Sequence, residues 1–475
     1  MRYFADIHCH PSMKAYGHSF PTLENSKNPN KSNSIWYYDP PNIFEKLIDL
    51  VGGLVKYRQS NFSAMGFGNT GIVFASLYPV ERGFFDNKLG TGDFNDMILN
   101  FVTSIGKKRI NAVQSVTDYF PDLEGEYNFL KQLDGKVVKL ADRASYKYIL
   151  ARNANDVETI LNEDVISDNK VNSIAVILTI EGAHAFGTGI KPQSNPANRD
   201  KVLTNVDAVK NWTHRPVFIT FAHHFFNELC GHAESLSGIV KKAASQQYGL
   251  NTGFTSLGLE VAEKLLDNTN NNRILIDIKH MSRTSRLEYF NLLDTKYAGQ
   301  DIPVVASHAA VVGNEQDKHL FLNSDINLFD DEILHIGRTN GLFGIQLDER
   351  RIAAPGDFTL KKTHGIERRK VLFHSSVLVW RQMQHIAELL DSNGLFAWGI
   401  QSMGSDYDGI IDPLNGYWTA ENYPTLADYL LMQANNYMNT GGKNLVNPFN
   451  RIDPEEIVNR VMGDNAFAFL KKYYQ

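Results

Sequence analysis

Two histidines one residue apart close the first apolar run of this chain, Phe4-Ala5-Asp6-Ile7-His8-Cys9-His10. In a strand, residues i and i+2 share a face, so His8 and His10 project together from its C-terminal end. Two converging imidazoles are ready ligands for a divalent cation. Alone, such a pair is as readily an accident of a surface strand. Further along, however, one apolar run after another ends in a group of the same kind. Glu181 ends Ser173–Glu181, His223 ends Pro216–His223, His280 ends Ile274–His280 and His308 ends Ile302–His308. Asp406 sits at the tip of Leu395–Asp406, in Met-Gly-Ser-Asp-Tyr-Asp-Gly. Any one of these is more often a hydrogen-bonded structural residue. Seven together suit two divalent cations bridged by a carboxylate, each with a position open to water, as metal-assisted hydrolysis requires.

The elements that must position these groups can be read from the same runs. Adding Tyr3–His10, Gly71–Tyr78 and Gly341–Leu347 makes eight apolar, β-branched segments, separated by amphipathic stretches such as Leu257–Leu266 and His374–Leu390. Strands alternating with helices imply parallel pairing through crossovers. Eight such units predict an α/β fold, a (β/α)8 TIM-type barrel with its chemistry at the C-terminal strand ends. The expectation is a single domain over 1–475 with insertions after the first and second strands. Lys14–Asp39, rich in Asn, Ser, Lys and Pro, reads as an inserted loop. A helical stretch over Pro41–Tyr57 follows it, and the 14–57 segment would be either a lid on the histidine face or a surface excursion. Asn87–Leu123 is a second excursion, and 454–473 a helical tail.

Composition bounds the function. At 475 residues, with 43% hydrophobic and 21% charged residues, the chain is ordinary globular material, and a net charge of −6 leaves no basic footprint for nucleic acid. No apolar run reaches the ~18 residues of a membrane span, and no signal peptide is visible. Two cysteines, Cys9 and Cys230, cannot build a disulfide framework and are expected as free thiols. The expected compartment is the cytoplasm, a trimmed leader aside. A small-molecule or dipeptide substrate is the expected partner, with a homodimer left open.

The order His-X-His, Glu-Gly, Thr-X-X-His, Ile-Asp-X-X-His, Ser-His and Ser-Asp-X-Asp-Gly resembles the membrane dipeptidase (renal dipeptidase) family, binuclear zinc peptidases on an amidohydrolase-like barrel. Gly253-Phe254-Thr255-Ser256-Leu257-Gly258 and Gly463-Asp464-Asn465-Ala466-Phe467 are similar to two further runs of that family. The resemblance implies that His8, His10 and Asp406 hold one Zn2+, that His280 and His308 hold the other, and that Glu181 bridges both. It implies that His223 hydrogen-bonds the scissile carbonyl oxygen, and that Asp406 relays a proton from the bridging water to the leaving amine. Physical reasoning agrees: a water shared by two cations ionises near neutral pH, and the tetrahedral species then needs a donor aimed at its oxyanion.

Two departures stand out. The family usually has His-X-Asp where this chain has His8-Cys9-His10, so the site gains one positive unit. The family also places a substrate-gripping Arg where Ile326-Asn327-Leu328-Phe329-Asp330 puts Ile326. Without that cation, recognition of a free carboxylate is expected to weaken, unless Arg350 or Arg351, past the seventh strand, substitutes. The alternatives are an amidohydrolase-type enzyme acting on an N-acyl amino acid, a lactone or another non-dipeptide substrate, and a non-catalytic ligand binder. Cys9, His184, His224, His232, Asp277 and Asp408 are set aside as structural or peripheral.

Overall fold

A computed structural model describes residues 3–46, 55–85, 100, 103–166, 171–236, 241, 244–357, 367–440 and 444–475. Among these residues ten strands form one sheet: β1 Phe4–Cys9, β2 Thr70–Leu77, β3 Val138–Lys139, β4 Ser145–Leu150, β5 Val171–Glu181, β6 Phe218–Thr220, β7 Leu275–Asp277, β8 Val305–Ala309, β9 Leu342–Ile345 and β10 Gln401–Met403. Eight of them pair in parallel in the order β1-β2-β5-β6-β7-β8-β9-β10. The ends meet where Asp406 N donates to His8 O (2.9 Å) and His10 N donates to Tyr407 O (2.9 Å). The eight-stranded TIM-type barrel expected from the sequence is therefore the fold.

The barrel strands are buried along nearly their whole length, as parallel strands must be when helices cover one face and the barrel interior the other. The helices bind to this surface by one apolar stripe. Ser256–Leu266 starts where the Thr255 hydroxyl accepts from Gly258 N (2.9 Å), and it buries Val261, Ala262, Leu265 and Leu266. Gly258 is forced by contact: a Cβ there would stand 1.8 Å from Leu229 O. In the tail, the helices Pro454–Asn459 and Asn465–Tyr473 flank a π-helical turn over Arg460–Asp464. Asn465 Nδ2 donates to Trp398 O (2.7 Å) and Gln401 O (2.8 Å), fastening the tail beneath β10.

Two features depart from the sequence reading. β3 and β4 form an antiparallel hairpin whose second strand adds in parallel to β5 outside the barrel circuit. The Lys14–Asp39 segment is not a plain loop. It opens with the helix Met13–Ser19, and it buries Ile35 and Trp36 completely. Of the helix expected over Pro41–Tyr57, residues 43–46 are helical with Ile43 and Phe44 exposed, and 47–54 lie outside the described residues, as do 87–99 and 101–102 of the second excursion.

Candidate metal centre

Two ligand-bearing strands are bulged where their histidines leave the ladder. Between Asp6 and Cys9 the register of β1 against β2 slips, and between Ala306 and Ala309 that of β8 against β9 does the same. A bulge re-aims side chains, here those of His8 and His308. His280 (φ 65°) and Asp406 (φ 61°) take left-handed backbone just past β7 and β10, conformations that L-residues hold only when their surroundings enforce them.

All six expected ligands converge around Glu181. Its Oε1 lies 3.3 Å from His8 Nε2, 3.5 Å from His308 Nε2 and 3.7 Å from His280 Nε2. Its Oε2 lies 3.0 Å from His10 Nε2 and 3.5 Å from His223 Nε2. Asp406 Oδ1 is 3.6 Å from His10 Nε2 and 3.8 Å from His8 Nε2, and its Oδ2 is 3.9 Å from His308 Nε2. In three overlapping triads, His8-His10-Glu181, His8-His308-Asp406 and Glu181-His280-His308, the possible ligand atoms lie within 4.8 Å of one another.

The donor chemistry fits divalent cations. The Nε2 atoms of His8 and His10 are buried without a hydrogen-bond partner, a state that costs free energy unless a cation fills it. For His10 and His308 a partner on the other ring nitrogen fixes the tautomer. His10 Nδ1 faces Ser76 O at 3.2 Å and so carries the proton, which turns its Nε2 lone pair inward. The Ser307 hydroxyl donates to Asp277 Oδ2 (2.6 Å), so it accepts from His308 Nδ1 at 2.8 Å, with the same result for His308. His280 and His308 bring their Nε2 atoms within 3.2 Å of each other.

Electrostatics follow from crowding. Burial opposes ionisation of Glu181, but His223, His8 and His10 outweigh it and hold the carboxyl well below its ordinary range. Burial likewise opposes charge on His10, yet Glu181 and Asp406 raise it to about 10. Burial, reinforced by neighbouring cations, keeps His280 and His308 far below the usual imidazole value and hence neutral.

His223 lies three residues past β6, with Nε2 toward Glu181 and Nδ1 on the Glu81 carboxylate, 2.5 Å away. Glu81, absent from the sequence reading, is buried, and it also accepts from Tyr78 OH (3.2 Å) and Phe225 N (3.0 Å). Burial opposes charge on His223, and Glu181 and Glu81 override it, so its pKa rises. Gln346 and Lys279 were also missed. Gln346 Nε2 donates to Asp406 Oδ2 (2.8 Å), and Lys279 Nζ donates to Gln346 Oε1 (3.2 Å). Burial pushes the Lys279 ammonium down to about 7.

The arginines separate. Arg350 is held by Asp348, Nε to Oδ1 at 3.0 Å and Nη2 to Oδ2 at 2.8 Å, and it also donates to Ile410 O. Among the described residues, the Arg351 side chain donates only to the Ser235 carbonyl. Ile326 is wholly buried. Of the residues set aside, His184 donates Nε2–H to Pro79 O (2.7 Å), His232 bonds to backbone carbonyls, and Cys9 packs against Phe74 O. Asp277 ties β6, β7 and β8 together through Thr220, Lys279 N and Ser307. His224 stands closer to the centre than expected, forming a potential ligand group with His223 and His280.

A parallel eight-stranded barrel carrying clustered metal-type donors at its C-terminal strand ends defines a metal-dependent hydrolase scaffold. The model of the membrane dipeptidase family (peptidase family M19) matches residues 132–447, more than half of the chain, and the chain belongs to that family. His8, His10 and Glu81 precede the matched region. Among solved structures, dipeptidase AC, an M19 metallopeptidase, is 15% identical with a TM-score of 0.51, covering 90% of this chain and 96% of that one. A Rhodobacter sphaeroides metallopeptidase, liganded with a phosphinate mimic of the dipeptide L-Ala-D-Ala, is 15% identical with a TM-score of 0.50, covering 90% and 97%. The probable dipeptidase PvdM from Pseudomonas aeruginosa is 13% identical with a TM-score of 0.51, covering 88% and 89%. At these identities the likeness is one of fold. No curated protein matches the chain in sequence. Among the described residues, no helix is long and apolar enough to cross a membrane.

Proposed function

We propose that this chain hydrolyses a small amide or peptide bond, dipeptidase-like, with a binuclear zinc centre held by His8, His10, Asp406, His280 and His308 and bridged by Glu181. The observation that supports the reading is the position of Glu181 amid both ligand sets, its Oε1 facing His8, His280 and His308 and its Oε2 facing His10. When bound, the two ions would acidify a shared water and polarise the scissile carbonyl. The chain's own groups divide the remaining work. Asp406 takes the proton released by the attacking water and returns it to the leaving amine, while Gln346 Nε2 steadies its Oδ2. His223, held by Glu81 through Nδ1 and raised in pKa, keeps a proton on Nε2 to donate to the developing oxyanion. That the Rhodobacter sphaeroides protein takes a phosphinate dipeptide mimic supports a dipeptide as substrate.

Two substitutions test the assignment. His223→Ala should lower kcat by roughly 10²–10³, the usual cost of one lost oxyanion donor, with zinc content unchanged. Loss of metal in that variant would make His223 a ligand instead. Glu181→Gln should lose activity and at least one ion by elemental analysis, because a neutral amide bridges two cations poorly. Two ions retained at full occupancy would contradict the bridge.

A further inference from the structure

Among the described residues, Arg351 stands out as a cation in no ion-pair contact. It belongs to the short helix Glu349–Ile352 past β9, which starts where Asp348 caps Arg350 N. Its neighbour Arg350 spends its guanidinium on Asp348. Arg351 is half-buried, and among the described residues no carboxylate lies within ion-pair distance of it. A desolvated guanidinium satisfied by a single carbonyl keeps most of its donors for something else.

A bonded chain fixes where those donors stand. Arg351 Nη2 is held on Ser235 O, and Ser235 Oγ is 2.6 Å from His224 Nδ1. The His224 ring packs 3.9 Å from the ring centre of His223 and 5.0 Å from that of His280. From below, Asn327 Nδ2 donates to Arg351 O at 3.1 Å. The loop that buries Ile326 therefore supports the backbone that presents Arg351. Charges meet there as well: burial lowers the pKa of Arg351, and Asp348 and then Asp406 oppose it across space. Arg351 is thus tied through Ser235 to His224, whose ring packs on those of His223 and His280.

We propose that Arg351 grips an anionic group of the substrate, a free carboxylate adjacent to the scissile bond, so that the preferred substrates are carboxylate-bearing dipeptides or N-acyl amino acids. The inference rests on the amide-hydrolase reading above and names its substrate class. It reverses the weakened carboxylate recognition expected from Ile326 alone. A planar guanidinium meets a carboxylate through two parallel N–H···O bonds, and the contact typically changes affinity by about tenfold to a hundredfold.

The test compares alanyl-alanine with its C-terminal amide on zinc-loaded enzyme, for the wild type, Arg351→Ala and Arg351→Lys. The wild type should favour the free carboxylate in kcat/KM. In Arg351→Ala that preference should collapse by about tenfold to a hundredfold, through KM, and Lys should restore it in part. An unchanged free-to-amide ratio in Arg351→Ala overturns the proposal. Calorimetric binding of the same two compounds is the second readout. If neither is hydrolysed but binding prefers the free acid and loses that preference in Arg351→Ala, the grip stands and the hydrolase reading falls. If the wild type binds neither, or both equally, the grip falls. If Arg351→Ala does not fold, Arg351→Met, which keeps the apolar stem, serves as the same comparison.

Discussion

Glu81 is where this site differs most from what its ligand types alone would suggest. Its carboxylate holds His223 Nδ1, and burial opposes its ionisation, yet His223, His184 and His224 hold it down to about 2. It therefore stays ionised across the working pH range and raises the imidazolium pKa of His223. The sign follows: a raised pKa keeps the Nε2 proton in place as pH climbs, and activity falls once pH passes that value. Glu81→Gln should move the alkaline limb of the kcat profile to lower pH and reduce kcat by about 10–100-fold, a usual cost of losing a supporting partner. Profiles of wild type and variant that superimpose would show that Glu81 does not hold this proton. The metal-type donors were legible because each closes an apolar run. Glu81 was not, because Tyr78, Pro79 and Val80 separate it from Leu77, where β2 ends. The available signal was negative: β2 alone among the first three barrel strands ends without a polar group.

At the scale of elements, the eight barrel strands could be read as apolar runs, but their ends could not. Pro216–His223 is strand only over Phe218–Thr220, because the chain leaves the ladder early to turn His223 toward Glu181. The alternation Ser145-Tyr146-Lys147-Tyr148-Ile149-Leu150 is a half-buried strand pattern, and its shortness and lysine hid it. The inserted segment is anchored by one buried acid. Asp408 accepts from Ser60 N (2.8 Å), Ser60 Oγ (2.8 Å) and Gln59 N (3.1 Å), and it pairs with Lys14 Nζ at 3.0 Å. Asp408→Ala would leave Lys14 buried without its anion and should destabilise the fold by about 3–5 kcal/mol in denaturant titration. Burial opposes ionisation of Asp408, and Lys14 with Ser60 overrides it, so its pKa lies below 3.8. The ion pair therefore contributes fully above the unfolded value and is lost as pH falls through the lower folded one. The penalty of the substitution should shrink in acid; one that is equally large there would deny the ion pair its share.

For the whole molecule, the centre stores a conflict that metal would resolve. Four histidines and two carboxylates share one buried space, and the bulges and left-handed residues that aim them work against an easily folded chain. Binding that stabilises only the folded state adds to its stability by mass action, by about 4 kcal/mol for one site at a thousandfold excess over Kd. Chelation should lower the melting temperature, and added zinc should restore it in a concentration-dependent way. Protons are coupled to the same equilibrium. With no cation present His10 is held protonated up to about 10, whereas a ligand must offer a free Nε2 lone pair. Zinc loading at pH 7.5 should therefore release at least one proton. Affinity should rise about tenfold per pH unit for each proton released, until pH passes that value. Calorimetric titrations in two buffers of different ionisation enthalpy measure the release directly. Equal apparent enthalpies in both buffers would mean that no proton leaves, and that His10 is not among the ligands of the apo protein's first zinc.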